Sequence, residues 1–282
     1  MQVIFSNKED FLEKKQKFVS GGVNNLHVLS DFDRTLTKAF VNGKKIPSII
    51  SELRNGHYIS ADYATRSTKL AEIYAPIELD PKIPLDEKRE KMNEWWTKHF
   101  KLLIEVGLKL EHIKDVVSKG RIQFREFSLD FFDMLNKNNI PLVIISSAGL
   151  GGESIRMVFE KENKMSSNIH IISNYLEFNE KGVCVGIREP IIHVLNKKEV
   201  SVKGLPVYED LLKRKNVLLF GDGLGDVEMI EGFPYDNLIK IGFLDEMVEE
   251  SLKDYKKAFD VVIIGDGDFS FINDLLKEII EK

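Results

Sequence analysis

Two kinds of apolar run alternate along this chain. Short continuous runs rich in Val, Ile and Leu predict buried strands at Leu26–Ser30, Ile140–Ile145, Val217–Phe220, Leu238–Ile241 and Val261–Ile264. Between them, apolar residues recurring every three or four positions predict helices. The first helix opens at Ser6-Asn7-Lys8-Glu9, which has the form of a capping box, and runs through about Val19 with Phe11, Leu12, Phe18 and Val19 on one face. Gly21-Gly22 then ends it. Further helices are expected up to Leu135 and from about Glu153 to Glu162, and Ile169–Phe178 with Val183–Ile187 flank Asn179-Glu180-Lys181-Gly182 as a hairpin.

The stretch from Lys38 to Gly120 has a different texture. Helical periodicity is expected at Ser48–Arg54, Ser60–Tyr74, Leu85–Leu108 and Leu110–Lys119, with no strand, and Pro76, Pro81 and Pro84 as breaks. Its charged run Asp86-Glu87-Lys88-Arg89-Glu90-Lys91 is expected to be a solvated helical face. Strand and helix alternating elsewhere argue for an α/β fold with a mostly parallel sheet. A helical insertion directly after the first strand would stand over the carboxyl edge of that sheet as a lid. The expected division is therefore a core of residues 1–40 and 121–282 and a helical cap of residues 41–120.

Composition narrows the function. A chain of 282 residues with net charge −5 has no extended basic surface for a nucleic acid polymer, though a local pocket for a small anion is compatible with it. The single cysteine, Cys184, forms no internal disulfide and no thiolate metal cluster. No segment approaches the roughly 20 apolar residues that span a bilayer, and Met1–Asp10 carries acids without an apolar core, unlike a signal peptide. A monomeric cytoplasmic protein with no membrane partner is expected.

The chemistry-bearing residues gather at the ends of predicted strands. The first strand closes in Asp31-Phe32-Asp33-Arg34-Thr35. Asp-x-Asp is also a common way to close a strand in a turn, but two carboxylates in one small space need a cation between them or a shared proton. The second strand ends in Ser146-Ser147-Ala148-Gly149-Leu150-Gly151-Gly152 before a helix, which is either an ordinary turn or a phosphate cradle of backbone N–H groups. A later strand ends in Gly221-Asp222-Gly223-Leu224-Gly225-Asp226, and Lys197 lies in the connecting region with Lys198 as its rival. Oxygen ligands suit a hard divalent cation such as Mg²⁺, and serine, lysine and N–H groups suit phosphoryl oxygens. Together they point to phosphoryl chemistry.

In this order, Asp31-x-Asp33-x-Thr35, Ser147, Lys197 and Gly221-Asp222-x-x-x-Asp226 resemble the four motifs of haloacid dehalogenase (HAD) superfamily phosphatases. More narrowly, Ser30 to Leu36, Ile77-Glu78-Leu79-Asp80-Pro81, Ser147-Ala148-Gly149, Ile192 to Lys197 and Gly221-Asp222 resemble the cytosolic 5′-nucleotidase III family, the pyrimidine 5′-nucleotidases, over nearly the whole chain. The resemblance implies a Rossmannoid three-layer core with a helical cap, and Mg²⁺-dependent hydrolysis of CMP and UMP through an aspartyl-phosphate. It implies Asp31 as nucleophile and Asp33 as general acid and base. Thr35 steadies the loop, and Ser147, Ala148, Gly149 and Lys197 hold the phosphoryl group. The metal falls to Asp31, the Asp33 backbone carbonyl and Asp222. Asp226 would orient Lys197 or a metal-bound water, or cap the helix after it.

Base recognition is expected in the cap. Glu78 matches the family glutamate that accepts hydrogen bonds from the base, and Trp95-Trp96 could stack on it or pack in the core. His99 departs from the serine of mammalian pyrimidine enzymes, which leaves 7-methylguanosine 5′-monophosphate as an alternative substrate. Transfer of the phosphoryl group to a nucleoside is another outcome of the same site. A glycosyltransferase using Asp-x-Asp to hold a metal has no need of Ser147, Lys197 and Asp222. A non-catalytic module would tolerate loss of Asp31 or Asp33, and both are intact. His193, in an apolar run, is expected in the core, and Arg34 has no assigned role.

Overall fold

The computed structural model describes residues 2–80, 82–119, 121–197, 206–231 and 234–282. In chain order, β1 (Gln2–Phe5) and α1 (Lys8–Gly21) precede β2 (Leu26–Ser30). A two-stranded ribbon of β3 (Phe40–Val41) and β4 (Lys44–Lys45) leads into α2 (Ile49–Asn55), α3 (Ala61–Leu79), α4 (Leu85–Glu105) and α5 (Leu110–Lys119). The rest runs α6 (Ser128–Lys137), β5 (Leu142–Ile145), α7 (Gly151–Lys161), β6 (Ile169–Ile172), β7 (Tyr175–Phe178) and β8 (Cys184–Arg188). It continues α8 (Tyr208–Leu211), β9 (Asn216–Gly221), β10 (Asn237–Leu244), α9 (Val248–Ala258), β11 (Val261–Ile264) and α10 (Ser270–Ile280). A 3-10 helix over Leu224–Ile230 follows β9.

Seven strands form one sheet in the order β1-β11-β10-β9-β2-β5-β6, parallel except for β1 at the edge. Apolar residues alternate between its two faces, as a pleated strand requires. Leu26, Val28, Leu142, Ile144, Leu218 and Phe220 join one core with α1, α6, α7 and α10. Leu29, Val143, Ile145, Val217, Leu219 and Val262 join the other, against Leu211, Met229 and the inner face of α9. Helices on both faces of a parallel sheet make the three-layer α/β architecture expected from the alternation. Ser30 pairs with Ile144 on one side and Phe220 on the other, so β2, β5 and β9 end together at one edge. The four helices α2 to α5 contribute no strand to this sheet.

Several elements differ from the sequence expectation for identifiable reasons. Asn7, not Ser6, caps α1, its side chain accepting from the N–H groups of Glu9 and Asp10, while the Ser6 hydroxyl donates to the Phe259 carbonyl at 2.6 Å. Pro76 does not break α3, which continues to Leu79. It stands in the last turn, where its own carbonyl still accepts from Asp80 N–H at 3.0 Å and its ring is exposed. The segment Ile169–Phe178 is two strands rather than one. β6 joins the main sheet and β7 pairs with β8, the break falling at Ser173-Asn174, and the ribbon of β3 and β4 lies where no strand is expected. Pro81 and Lys198 lie outside the described residues.

Candidate active site

The Asp31-Phe32-Asp33 stretch works by alternation. Phe32 is fully buried beyond the end of β2, against Phe124 and Phe159 at centroid distances of 6.2 and 6.3 Å. Burying a phenylalanine contributes about 2–3 kcal/mol, enough to pin the stretch so that its two aspartates face the edge where the strands end. Asp31 N–H donates to the Phe220 carbonyl at 3.0 Å, continuing the sheet by one bond. The Thr35 hydroxyl then lies 3.3 Å from Asp31 Oδ2 and 3.5 Å from Asp222 Oδ1, spanning the ends of β2 and β9. The backbone N–H of Ile49, at the start of α2, acts to lower the Asp33 carboxyl, against its burial.

Lys197 enters from the loop after β8 and is buried. Its Nζ donates to Asp31 Oδ1 at 2.5 Å and to Asp226 Oδ1 at 3.1 Å. Asp226 Oδ2 accepts from the N–H groups of Asp222 and Gly223 at 3.1 and 2.9 Å, so Asp226 both caps the 3-10 helix and orients Lys197. Gly221 makes this possible: a Cβ there would stand 2.4 Å from Asp226 Cβ. At the end of β5, Ser146 is buried with its N–H on the Ile172 carbonyl, and Ser147 is the half-buried member of the pair. Ala148 and Gly149 follow in the turn that opens α7, where backbone N–H groups without helical partners favour an anion.

The electrostatics of this cluster are those of negative charge in excess. Burial raises the Asp31 carboxyl above its ordinary range, the Asp226 charge adds to that, and Lys197 opposes it. Burial and the charges of Asp31 and Asp226 raise Asp222 well above its usual range. Asp33 is pushed up to about 7 by burial and by Asp31, against Lys197 and Arg34. Burial alone would lower Lys197, but Asp226 and Asp31 hold it charged. Carboxylate oxygens of Asp31, Asp222 and Asp226 lie within 4.8 Å of one another. Asp226 is the most fully engaged of the three, with Lys197 on one oxygen and two backbone N–H groups on the other, whereas the Asp222 carboxylate has, among the described residues, only the Thr35 hydroxyl at 3.5 Å. An all-oxygen set with one lysine among several carboxylates fits a small hard divalent ion such as Mg²⁺.

Helices α2 and α4 meet this edge at a glycine. A Cβ on Gly149 would stand 3.0 Å from Ile50 of α2 and 3.0 Å from Trp96 Cζ3 of α4, so a side chain there would require these neighbours to give by a few tenths of an ångström. His99 Nε2 lies 3.3 Å from the Gly149 carbonyl, and burial lowers this imidazole to about 4, so it is neutral at physiological pH. Tyr74, Trp95 and Trp96 form a stack with centroid distances of 5.8 and 6.1 Å and interplanar angles of 13° and 24°. Trp96 is the member next to Gly149, and it packs edge-on to His99. Burial raises Glu78 above its ordinary range, with Lys197, Lys88 and Arg34 acting against it, and its backbone carbonyl accepts from Lys88 Nζ at 2.8 Å.

The pyrimidine 5′-nucleotidase (UMPH-1) family profile matches residues 34–280. The chain belongs to this family. Among UMPH-1 relatives, a human "7-methylguanosine phosphate-specific 5′-nucleotidase" is 38% identical over 92% of this chain and 86% of its own length. A Drosophila melanogaster protein of the same description is 34% identical over 94% of this chain and 83% of its own. The crystal structure of cytosolic 5′-nucleotidase IIIB bound to cytidine superposes with a TM-score of 0.90 at 30% identity, covering 98% of this chain and 93% of that one. A phosphoserine phosphatase described as a phospho-aspartyl intermediate analogue shares the fold, with a TM-score of 0.53 at 16% identity. The chain is a 5′-nucleotidase of the HAD superfamily, and no helix among the described residues is long and apolar enough to cross a membrane.

The structure brings Asp31, Asp33, Asp222 and Lys197 into one cluster with Asp226, and sets Ser147, Ala148 and Gly149 at the neighbouring strand end. His193 is buried, its Nδ1 accepting from Leu195 N–H at 3.2 Å, as a core histidine. Arg34 has φ 59° and lies 3.7 Å from Glu246. Sequence reasoning passed over Asn174. Its side chain accepts from Ile192 N–H at 2.8 Å and donates to the Ile192 carbonyl at 2.9 Å, while its own carbonyl accepts from Gly152 N–H at 3.0 Å. This buried amide ties the Lys197 loop to the start of α7, and its only trace in the sequence is the polar pair Ser173-Asn174 interrupting an apolar run. Tyr255, whose hydroxyl donates to the Asp222 carbonyl, leaves no sequence signal beyond its place in α9.

Proposed function

We propose that this chain hydrolyses nucleoside 5′-monophosphates with Mg²⁺, taking 7-methylguanosine 5′-monophosphate first and CMP second. The observation that carries the phosphatase chemistry is the Lys197 ammonium bridging Asp31 and Asp226 where three strands end. Asp31 attacks phosphorus and forms an aspartyl-phosphate. Asp33, with a proton affinity near neutrality, gives its proton to the departing 5′-oxygen. It then takes one from the water that releases phosphate. Lys197, the Ser147 hydroxyl and the N–H groups of Ala148 and Gly149 hold the phosphoryl oxygens as their charge rises. Asp31, the Asp33 carbonyl and Asp222 would hold Mg²⁺, which neutralises charge so that two anions can meet.

For the base, Trp96 beside Gly149 favours 7-methylguanine, whose methylated ring is cationic and stacks on indole with cation–π attraction. Glu78 lies in the field of Lys197 and Arg34 and supplies an acceptor for an amino edge. The names of the human and Drosophila relatives agree with this ranking, and the cytidine in the cytosolic 5′-nucleotidase IIIB crystal structure supports CMP as the second substrate. Phosphate release from CMP, UMP, AMP, GMP and 7-methyl-GMP, with Mg²⁺ and with chelator, tests both parts. Chelator-sensitive release strongest with 7-methyl-GMP is expected. Release strongest with CMP or UMP reverses the base ranking, and no release from any of them ends the nucleotidase reading.

A further inference from the structure

A second charged cluster lies two strands along the same edge, outside the proposed machinery. Arg125 is fully buried, and its guanidinium is shared among five acceptors. Nε donates to the Thr35 carbonyl at 3.0 Å, and Nη2 donates to the Arg34 carbonyl and to Asp245 Oδ2, the latter at 2.6 Å. Nη1 donates to the Gly267 carbonyl at 2.9 Å and reaches Asp266 Oδ1 at 3.5 Å. The planar group also lies 4.1 Å over the Phe243 ring. Asp245 follows β10 and Asp266 follows β11, and Asp245 Oδ1 accepts from Asp266 N–H at 2.8 Å, so both anchors are fixed to the sheet.

Two of the three carbonyls that the Arg125 guanidinium holds belong to the residues directly after Asp33. Arg34 sits in the left-handed region at φ 59°, a conformation that a non-glycine residue keeps only when its surroundings impose it. Thr35 is the residue whose hydroxyl reaches both Asp31 and Asp222. Arg125 also stands where the chain leaves for and returns from the helical segment. Its N–H donates to the Leu36 carbonyl at 2.9 Å, Lys38 N–H donates to the Gln123 carbonyl at 2.9 Å, and Ala39 N–H donates to Asp266 Oδ1 at 2.8 Å. A buried guanidinium is costly to desolvate, and its rigid fork of donors reaches several carbonyls at once in a way an ammonium cannot.

We propose that Arg125, braced by Asp245 and Asp266, is a positioning residue that clamps the Arg34 and Thr35 carbonyls and so fixes where Asp31, Asp33 and Thr35 stand for catalysis. The catalytic part rests on the reading of the site as a nucleotidase. The clamp itself does not. The experiment compares Arg125→Lys and Arg125→Met with the unaltered chain by hydrogen exchange and by phosphate release. Amide exchange in residues 33–38 should quicken at least about tenfold while β2 and β9 keep their protection, because the loss is local. Turnover should fall about tenfold to a hundredfold in kcat with KM within about threefold, the pattern of misplaced reacting groups rather than lost binding.

Asp245→Asn, which keeps side-chain volume, should give the same exchange pattern at smaller size and decides the matter where an Arg125 variant does not fold. Unchanged exchange in residues 33–38 of folded variants overturns the proposal, as does acceleration spread evenly over the sheet or a loss lying wholly in KM. Exchange needs no turnover. An unaltered chain that releases phosphate from no nucleotide ends the nucleotidase reading, and the exchange pattern still decides the clamp.

Discussion

The two halves of the proposed site, one for phosphate and one for base, are built on different principles. On the phosphate side, Asp31, Ser147 and Asp222 come off the ends of three parallel strands whose register is locked by ladders on both flanks. Lys197 is held there by two carboxylates, and Asp226 by Lys197 and two N–H groups. On the base side, Glu78, Trp95, Trp96 and His99 are carried by α3 and α4, which contribute nothing to the sheet and meet the strand ends where Gly149 offers bare backbone. In the proposed function, chemistry is placed by the sheet and selectivity by side chains standing on helices, so the first should tolerate little change and the second should retune.

Asp31→Asn tests the phosphate side most severely. It should lower phosphate release by about 10⁴-fold or more, as loss of a nucleophile does elsewhere, with the melting temperature little changed. Substantial turnover in clean protein would remove the aspartyl-phosphate route. Trp96→Ala should act on the other half alone. It should cut kcat/KM for 7-methyl-GMP by about 5- to 100-fold through lost stacking, with a smaller loss for CMP, measured side by side. Equal losses for both would make Trp96 a packing residue and blur the division.

Gly149→Ala probes the seam. Its methyl would meet Ile50 and Trp96 at 3.0 Å, so KM should rise about three- to tenfold for every nucleotide as the helices are pushed back, with kcat less affected. Unchanged kinetics would show the seam to be yielding. His99→Gln should have the smallest effect. The folded-state pKa of His99 is about 4 against an ordinary 6.5, so between those values the unfolded chain binds the extra proton and stability falls as pH falls. The carboxylates raised by burial act in the opposite sense, so the variant has to be compared with the unaltered chain at each pH. The difference between them should be under about 1 kcal/mol at pH 6 and grow toward pH 4 by urea unfolding. Parallel curves would mean that His99 titrates as though exposed.

How far the sequence could be read follows the same line. The strands ending in Asp31, Ser147 and Asp222 were legible because a buried parallel strand is a continuous apolar run and its functional end is chemically abrupt. The clustering of Lys197 with Asp31 rested on family resemblance, since a lysine beside another lysine carries no mark of burial. Arg125 was not legible at all, and Asn174 left only the polar pair that interrupts an apolar run. Each acts by gathering backbone carbonyls and amides from segments distant in sequence, and no local pattern encodes that. Local rules also failed where tertiary contacts took over, as when Ser6 turned to Phe259 and left the α1 cap to Asn7.

The position of β2 in the middle of the sheet has a consequence for synthesis. Ser30 is made before its neighbours, Ile144 on one side and Phe220 on the other, and β1 waits for β11. Contacts between such distant segments form slowly, because the loop between them must close before anything is gained. A nascent chain therefore carries Asp31 and Asp33 without their partners until β9 has been made. Shortened products that stop before residue 216 contain Asp31 and Asp33 but no finished cleft, and an apolar strand with one edge open is material for chaperones rather than a partial enzyme.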